Sequence, residues 1–267
     1  MSGRVCKRQL GSFLVALVPV LAACGLVGTD HAHGSSRGSA VSTAVTQVKT
    51  ARTVRASFTF LIKGNSSSAK IVGDADIIPG TGIRATYEQT SNYHMTDLAR
   101  DSTGALVVTG GSTYLQWSEF KMPRGKKWFR LDRPWTPDPD KPTPAGWYAP
   151  TGLQLLDPLL LLAQGPVDEH GEPSPATLNG ATTRVHKLDR NLGVDPPDQR
   201  LAAWNEQAGD VTSIDLTLWV DAQGRPVRLK IDTSGLTLTS LQATIDYHDY
   251  GSSVTVTPPP ASKVTKV

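Results

Sequence analysis

The chain has 267 residues, of which 39% are hydrophobic and 19% charged, and it contains 19 prolines and 24 glycines. A disordered chain would be richer in charge and poorer in apolar residues. So many prolines and glycines also disfavour a helical bundle and are typical of strands joined by turns. The formal net charge of +3 depends on the first residues of the chain.

Residues 1–23 have the pattern of a secretion signal. Arg4, Lys7 and Arg8 precede an apolar run from Phe13 to Ala22, which is too short to span a bilayer. Removal of this segment takes away three of the 27 basic residues. The remaining 24 basic residues then equal the 24 acidic residues in number. A neutral mature chain has no general electrostatic reason to bind nucleic acid.

The signal ends in Leu21-Ala22-Ala23-Cys24. This tetrapeptide resembles the lipobox of bacterial lipoproteins, and the resemblance implies that Cys24 is diacylated after residues 1–23 are removed. The chain would then be anchored by lipid on the outer face of the cell membrane. An ordinary signal peptide with an incidental cysteine is the alternative. Because Cys6 is the only other cysteine, a mature lipidated chain has no disulfide and no thiolate metal site.

A change of pattern at residue 39 separates a tether from the domain. Residues 24–38 are rich in Gly, Ser, His and Ala, as in flexible linkers. Beyond them, Val41, Ala44, Val45 and Val48 recur at the spacing of one helical face. The sequence predicts a flexible tether over 24–38, a helix from 39 to about 52, and a domain over 39–260 followed by a tail at 261–267.

Alternating apolar residues predict strands after this helix. The clearest alternation runs through Phe58, Phe60 and Ile62. Further strands are predicted at 69–78, 83–93, 106–108, 113–120 and 126–131. Six prolines in 132–150 exclude a strand ladder there, so this segment is either an extended loop or a mobile flap.

A Leu-rich segment follows at 153–163. Asp157 is a good N-cap and Pro158 a good first helical residue, so a short helix is expected to begin there. Its apolar residues lie on all sides, and such a helix must be buried or must face something apolar.

The last third of the chain reads as a meander. Strands are predicted at 181–188, 214–220, 227–231, 236–247 and 253–256, with a helix at 198–208. About ten strands and two or three short helices indicate an α+β protein built on a single antiparallel sheet.

No constellation in the sequence favours catalysis, so we expect no enzyme, no cofactor and no metal. Gly34-Ser35-Ser36-Arg37-Gly38 has the spelling of a nucleophile elbow but lies in the tether. His31 and His33 also lie there. His248 and Asp249 are neighbours in a predicted strand, so their side chains are expected to point to opposite faces and not to pair directly.

One basic cluster with interleaved aromatics spans 121–130. It is either a solvated hairpin turn or a contact for anionic headgroups.

Several C-terminal stretches resemble the LppX/LprG-type lipoproteins of mycobacteria and related actinobacteria. They are residues 214–229, Leu155-Leu156-Asp157-Pro158, residues 179–185 and Tyr247-His248-Asp249-Tyr250-Gly251. They occur in the family's order behind a matching lipobox. The Pro-rich 133–150 segment and a loop at 165–175 depart from the family pattern.

The resemblance implies a LolA-like half-barrel, a strongly curved antiparallel sheet whose short helices cover an apolar cavity for a lipid or glycolipid. The chain is then expected to transport or present that ligand, with an envelope transporter as a candidate partner. A lipid-anchored scaffold or sensor with a filled core, acting through protein contacts, is the alternative. The candidate lining residues are Phe58, Phe60, Ile62, Leu155, Leu156, Leu159, Leu160, Leu216, Leu218 and Leu229.

Overall fold

Twelve strands and a few short helices make up the computed structural model of the protein. It describes residues 39–64, 67–93, 98–119, 121–131, 152–164, 167–192, 198–208, 213–233 and 240–266. The signal, Cys24, the tether and the Pro-rich segment lie outside these residues.

The helices are short and few. They are α1 (Ser39–Ala51), a 3-10 turn (Leu153–Leu156), α2 (Pro158–Leu162), α3 (Gln199–Ala208) and a second 3-10 turn (Ala261–Lys263). Within the described part of the chain, none combines the length and the hydropathy that a bilayer span requires.

The strands belong to one sheet. In chain order they are β1 (Val54–Lys63), β2 (Ser67–Ile78), β3 (Gly82–Tyr93), β4 (Leu98–Thr109), β5 (Ser112–Trp117), β6 (Trp128–Leu131), β7 (Val167–Leu178), β8 (Ala181–Asn191), β9 (Ser213–Val220), β10 (Pro226–Asp232), β11 (Ser240–His248) and β12 (Val264–Lys266).

Two meanders form this sheet, and they meet at its centre. The strand order is β12-β6-β5-β4-β3-β2-β1-β11-β10-β9-β8-β7. Neighbours are antiparallel except for β12 and β6, which run parallel. The α+β class with a single, mostly antiparallel sheet and few short helices is therefore confirmed.

The core lies on one face of the sheet, and the pleat explains why. Along β1, buried side chains alternate with half-buried or exposed ones, because successive side chains in a strand point to opposite faces. Val41, Ala44 and Val48 of α1 are buried as predicted. The leucines of the first 3-10 turn and of α2 are all buried, and all of them except Leu159 belong to the same core cluster.

Three expectations about the positions of strands were wrong. Residues 253–256 are not a strand. The loop expected at 165–175 is largely strand β7, where Pro175 lies opposite Arg184; β7 is the last strand of the sheet, and edge strands tolerate proline. The residues expected to form a tail, 261–267, contain β12, which pairs with β6 through Val264 and Trp128.

Candidate functional site

The ten predicted lining residues are all buried in the structure. Nine belong to one continuous apolar cluster. Leu159, which is 8% exposed, lies outside that cluster. The pairing register explains how residues from distant strands come together. Phe58 lies opposite Ile245, Ile245 opposite Leu229, and Leu229 opposite Leu218.

A second row of side chains runs parallel to the first. Phe60 lies opposite Ala243, Ala243 opposite Ile231, and Ile231 opposite Leu216. The Phe58 and Phe60 rings, two residues apart on β1, lie 5.4 Å apart between centroids. These two rows form an apolar face across β1, β11, β10 and β9, which we call the inner face.

The inner face is closely covered. Phe60, Leu155, Leu156 and Leu160 have no exposed surface. Because these side chains are fully buried, a ligand could reach them only if the parts of the chain packed on them moved.

Asp157 fixes the middle of that segment. Its carboxylate accepts hydrogen bonds from the Leu159 N–H at 3.0 Å, from the Gly80 N–H at 2.8 Å and from Arg200 Nη1 at 3.1 Å. The predicted N-cap and first-turn proline are thus both present. Burial raises the pKa of the Asp157 carboxyl, and the contacts with Arg200, Gly80 and Leu159 oppose that rise.

Tyr247 provides a second attachment. Its hydroxyl donates a hydrogen bond to the Leu156 carbonyl at 3.2 Å. Burial raises the pKa of Tyr247 well above its ordinary value, so the phenol keeps the proton that it donates. The Leu-rich segment is therefore attached by a few polar contacts and otherwise packs through apolar side chains.

A buried polar pair, which sequence reasoning missed, lies where the two rows of the inner face end. The first row continues from Leu218 to His186, which lies opposite it on β8. The second row continues from Leu216 to Leu188 on β8, and Leu188 in turn lies opposite Glu169 on β7. His186 Nδ1 lies 2.6 Å from Glu169 Oε1, and their side chains are only 4% and 6% exposed. No local pattern reveals this pair, because strand pairing brings together residues that lie 17 positions apart.

The surroundings of His186 are unusual for a core residue. Its Nε2 is buried and has no hydrogen-bond partner among the residues that the structure describes. The residue adjoins an open cleft of about 530 Å³ that is also lined by Thr183, Arg184 and Val220.

Replacing Glu169 with Ala is expected to destabilise the fold by about 1–3 kcal/mol, because it leaves His186 Nδ1 buried without its partner. Chemical denaturation measures this change. The control is Asp189→Ala, which breaks a contact of similar length, 2.6 Å to His170, between side chains about half exposed. That variant should cost less than about 1 kcal/mol. Equal losses for both variants would contradict a special role for burial at Glu169.

The other histidines do not extend this site. His31, His33 and His94 lie outside the described residues. His248 Nδ1 lies 3.1 Å from Asp249 Oδ2, so the expectation that they cannot pair was wrong. The reason is that β11 ends at His248 and Asp249 adopts a positive φ of 50° in the turn. Among the described residues, no three His, Cys, Asp or Glu side chains gather as metal ligands would.

Comparison with known proteins gave similarity at the level of the fold. No protein-family model matches the chain, and no curated protein matches its sequence. Among solved structures, LprF from Mycobacterium bovis is 14% identical with a TM-score of 0.42, covering 83% of this chain and 96% of its own.

Two further solved structures give lower scores. MucB is 14% identical with a TM-score of 0.34, covering 83% of this chain and 63% of its own. A putative outer membrane lipoprotein-sorting protein domain from Vibrio parahaemolyticus is 11% identical with a TM-score of 0.31, covering 80% and 90%.

Proposed function

We propose that this protein is a cell-envelope lipoprotein that binds a lipid or glycolipid on its inner face and transports or presents it. The observation that carries the proposal is the inner face itself. Apolar side chains run without interruption across four strands from Phe58 to Leu218, and an entirely apolar helix, Pro158–Leu162, belongs to the elements that pack on the same core. The lipobox-like Cys24 and the sequence resemblance to LppX/LprG-type lipoproteins support the same function.

Burial of the acyl chain would supply the binding free energy. Each CH₂ group moved from water into an apolar environment contributes about 0.8 kcal/mol. A long acyl chain could therefore be held without specific polar partners. This suits the inner face, whose side chains are Leu, Ile, Phe and Ala.

Binding would begin with movement of Leu153–Leu162. Leu155, Leu156 and Leu160 have no exposed surface, so the acyl chain would enter between this segment and the strands. The polar contacts that attach the segment are those of Asp157 and Tyr247 described above. They are few enough for the segment to shift as a unit, while the sheet, which is hydrogen-bonded throughout, stays in place.

A lipid-anchored scaffold is the second candidate function. The complete burial of Leu155, Leu156 and Leu160 favours it, because a filled core shows the same burial. In that case the protein would act through surface contacts with another envelope protein.

Leu160→Trp tests the two functions against each other. The parent protein is expected to bind a fluorescent fatty acid in a saturable manner, and the variant to bind it at least tenfold more weakly, because the indole occupies space that the acyl chain needs. Overpacking should also cost about 1–3 kcal/mol of stability. Titration of the probe and thermal unfolding measure the two effects.

Leu115→Trp is the control for general destabilisation. Leu115 is 1% exposed and lies on β5, four strands away from β1. This variant should lose similar stability and keep the affinity of the parent. If the parent shows no saturable binding, the carrier function fails and the scaffold replaces it. Equal loss of binding in both variants would show that the inner face is not the site.

A further inference from the structure

We propose that a basic surface at one end of the sheet docks on a bilayer of anionic phospholipid. The surface consists of the turn 121–127 and the C-terminal residues 262–266, and we call it the basic edge. It does not depend on any ligand at the inner face, because β12 and β6 lie at the end of the strand order.

The basic edge is built by contacts between distant parts of the chain. Lys127 N–H donates a hydrogen bond to the Lys263 carbonyl at 2.8 Å, and Lys126 Nζ donates to the Ser262 carbonyl at 3.1 Å. Strand β12 then runs parallel to β6, with Lys266 opposite Arg130. These contacts place two C-terminal lysines beside the basic cluster that the sequence showed.

The turn itself is well defined. Lys126 N–H donates a hydrogen bond to the Pro123 carbonyl at 3.0 Å, and Gly125 has a φ of 79°, a conformation that favours glycine. The cationic side chains are therefore presented by an ordered turn next to a strand.

Five cationic residues of the basic edge are exposed to solvent: Lys121, Arg124, Lys127, Lys263 and Lys266. Within the described residues, no carboxylate forms an ion pair with the first four of these. Among the described residues, the acidic residue nearest in sequence to the turn 121–127 is Glu119, which is also exposed. Trp128 and Phe129, adjacent to the cations, are half-buried.

Some cations elsewhere on the described surface lie beside carboxylates. Arg55 lies 3.2 Å from Asp76, Arg225 2.7 Å from Asp221, and Arg200 2.8 Å from Asp198. A cluster of like charges without such partners repels itself and is stabilised by an external negative surface. Headgroups of anionic lipid supply that surface, with each nearby Lys or Arg strengthening binding roughly fivefold.

A bilayer fits the basic edge better than a nucleic acid does. Half-buried Trp is typical of the bilayer interface, where one part of the ring is apolar and the other is wet.

The experiment uses the full chain with Cys6→Ser and Cys24→Ser, which removes both native cysteines. Ser262→Cys, an exposed position of the basic edge, then carries a single environment-sensitive fluorophore. The labelled protein is mixed with vesicles of phosphatidylcholine alone or of phosphatidylcholine with phosphatidylglycerol.

The apolar N-terminal segment can associate with either vesicle, but the label reports only whether the basic edge contacts the lipid. A label at Ala222→Cys, an exposed turn between β9 and β10, is the control position.

Charge reversal identifies the cations responsible. Lys121→Glu, Arg124→Glu and Lys127→Glu together should lower the docking equilibrium constant at least tenfold. The matched control reverses three exposed lysines elsewhere, Lys49, Lys70 and Lys187, which changes the net charge equally. Circular dichroism establishes that both variants are folded.

The expected result is a blue shift in the fluorescence emission of the label at residue 262, seen only with vesicles that contain phosphatidylglycerol. Salt should weaken this shift. Charge reversal in the basic edge should reduce it at least tenfold in vesicle affinity, and charge reversal at the control lysines should not. The proposal is overturned if no shift occurs, if neutral vesicles give the same shift, or if both triple variants lose it equally. It is also overturned if a single-stranded oligonucleotide binds the labelled edge more tightly than the vesicles do.

Discussion

Asp157→Ala is expected to destabilise the protein by about 2–3 kcal/mol. The substitution removes the N-cap of α2, which alone contributes about 1 kcal/mol. It also takes the acceptor from the Gly80 N–H, at a further cost of about 1 kcal/mol, and one of two carboxylate partners from Arg200. Chemical denaturation measures the loss. Asp157→Asn, which keeps one acceptor oxygen, should lose about half as much.

Asp76→Ala is the matched control. Asp76 also forms an ion pair with an arginine, at 3.2 Å from Arg55, but the two side chains are 33% and 45% exposed. Its removal should therefore cost less than about 1 kcal/mol. A loss at Asp157 as small as that at Asp76 would show that the Leu-rich segment is held by apolar packing alone. Under the proposed function, Asp157→Ala should also accelerate lipid uptake, because the segment then moves more easily.

Cys24→Ala is expected to abolish incorporation of fatty acid into the protein and to prevent its anchoring. The physical reason is that two acyl chains carried by one cysteine hold a protein at a membrane, whereas a single chain gives only marginal binding. Metabolic labelling with a fatty acid, followed by separation of membrane and soluble fractions, measures both effects.

Cys6→Ala provides the control, since Cys6 lies within the predicted signal and would be removed with it. This variant should be labelled as strongly as the parent. Normal labelling of Cys24→Ala would refute the assignment of the lipobox, and the protein would then be exported by an ordinary signal or anchored in another way.

Features that depend on neighbouring residues could be predicted from the sequence. The alternation through Phe58, Phe60 and Ile62 predicted the buried side of β1, because the pleat has a period of two residues. Asp157 and Pro158 predicted the start of α2, because an N-cap and a first-turn proline act within one turn of helix.

Edge strands were the least predictable part of the sheet. Strand β7 contains Pro173 and Pro175 and shows little apolar alternation, since only one of its sides pairs with another strand. Strand β12 has three residues, too few to give a periodic pattern. Both strands exist because a neighbouring strand offers them backbone hydrogen-bonding groups.

The alternation of apolar residues in the strands and the start of α2 could be read from the residues alone, because these properties arise within a few consecutive positions. The pairing of β1 with β11, the contact of Glu169 with His186 and the contact of Lys263 with the turn at Lys127 depend instead on the folded chain. Each of these contacts joins residues far apart in the chain. Their pairing is selected by the register of whole strands, and no local pattern of residues carries that information.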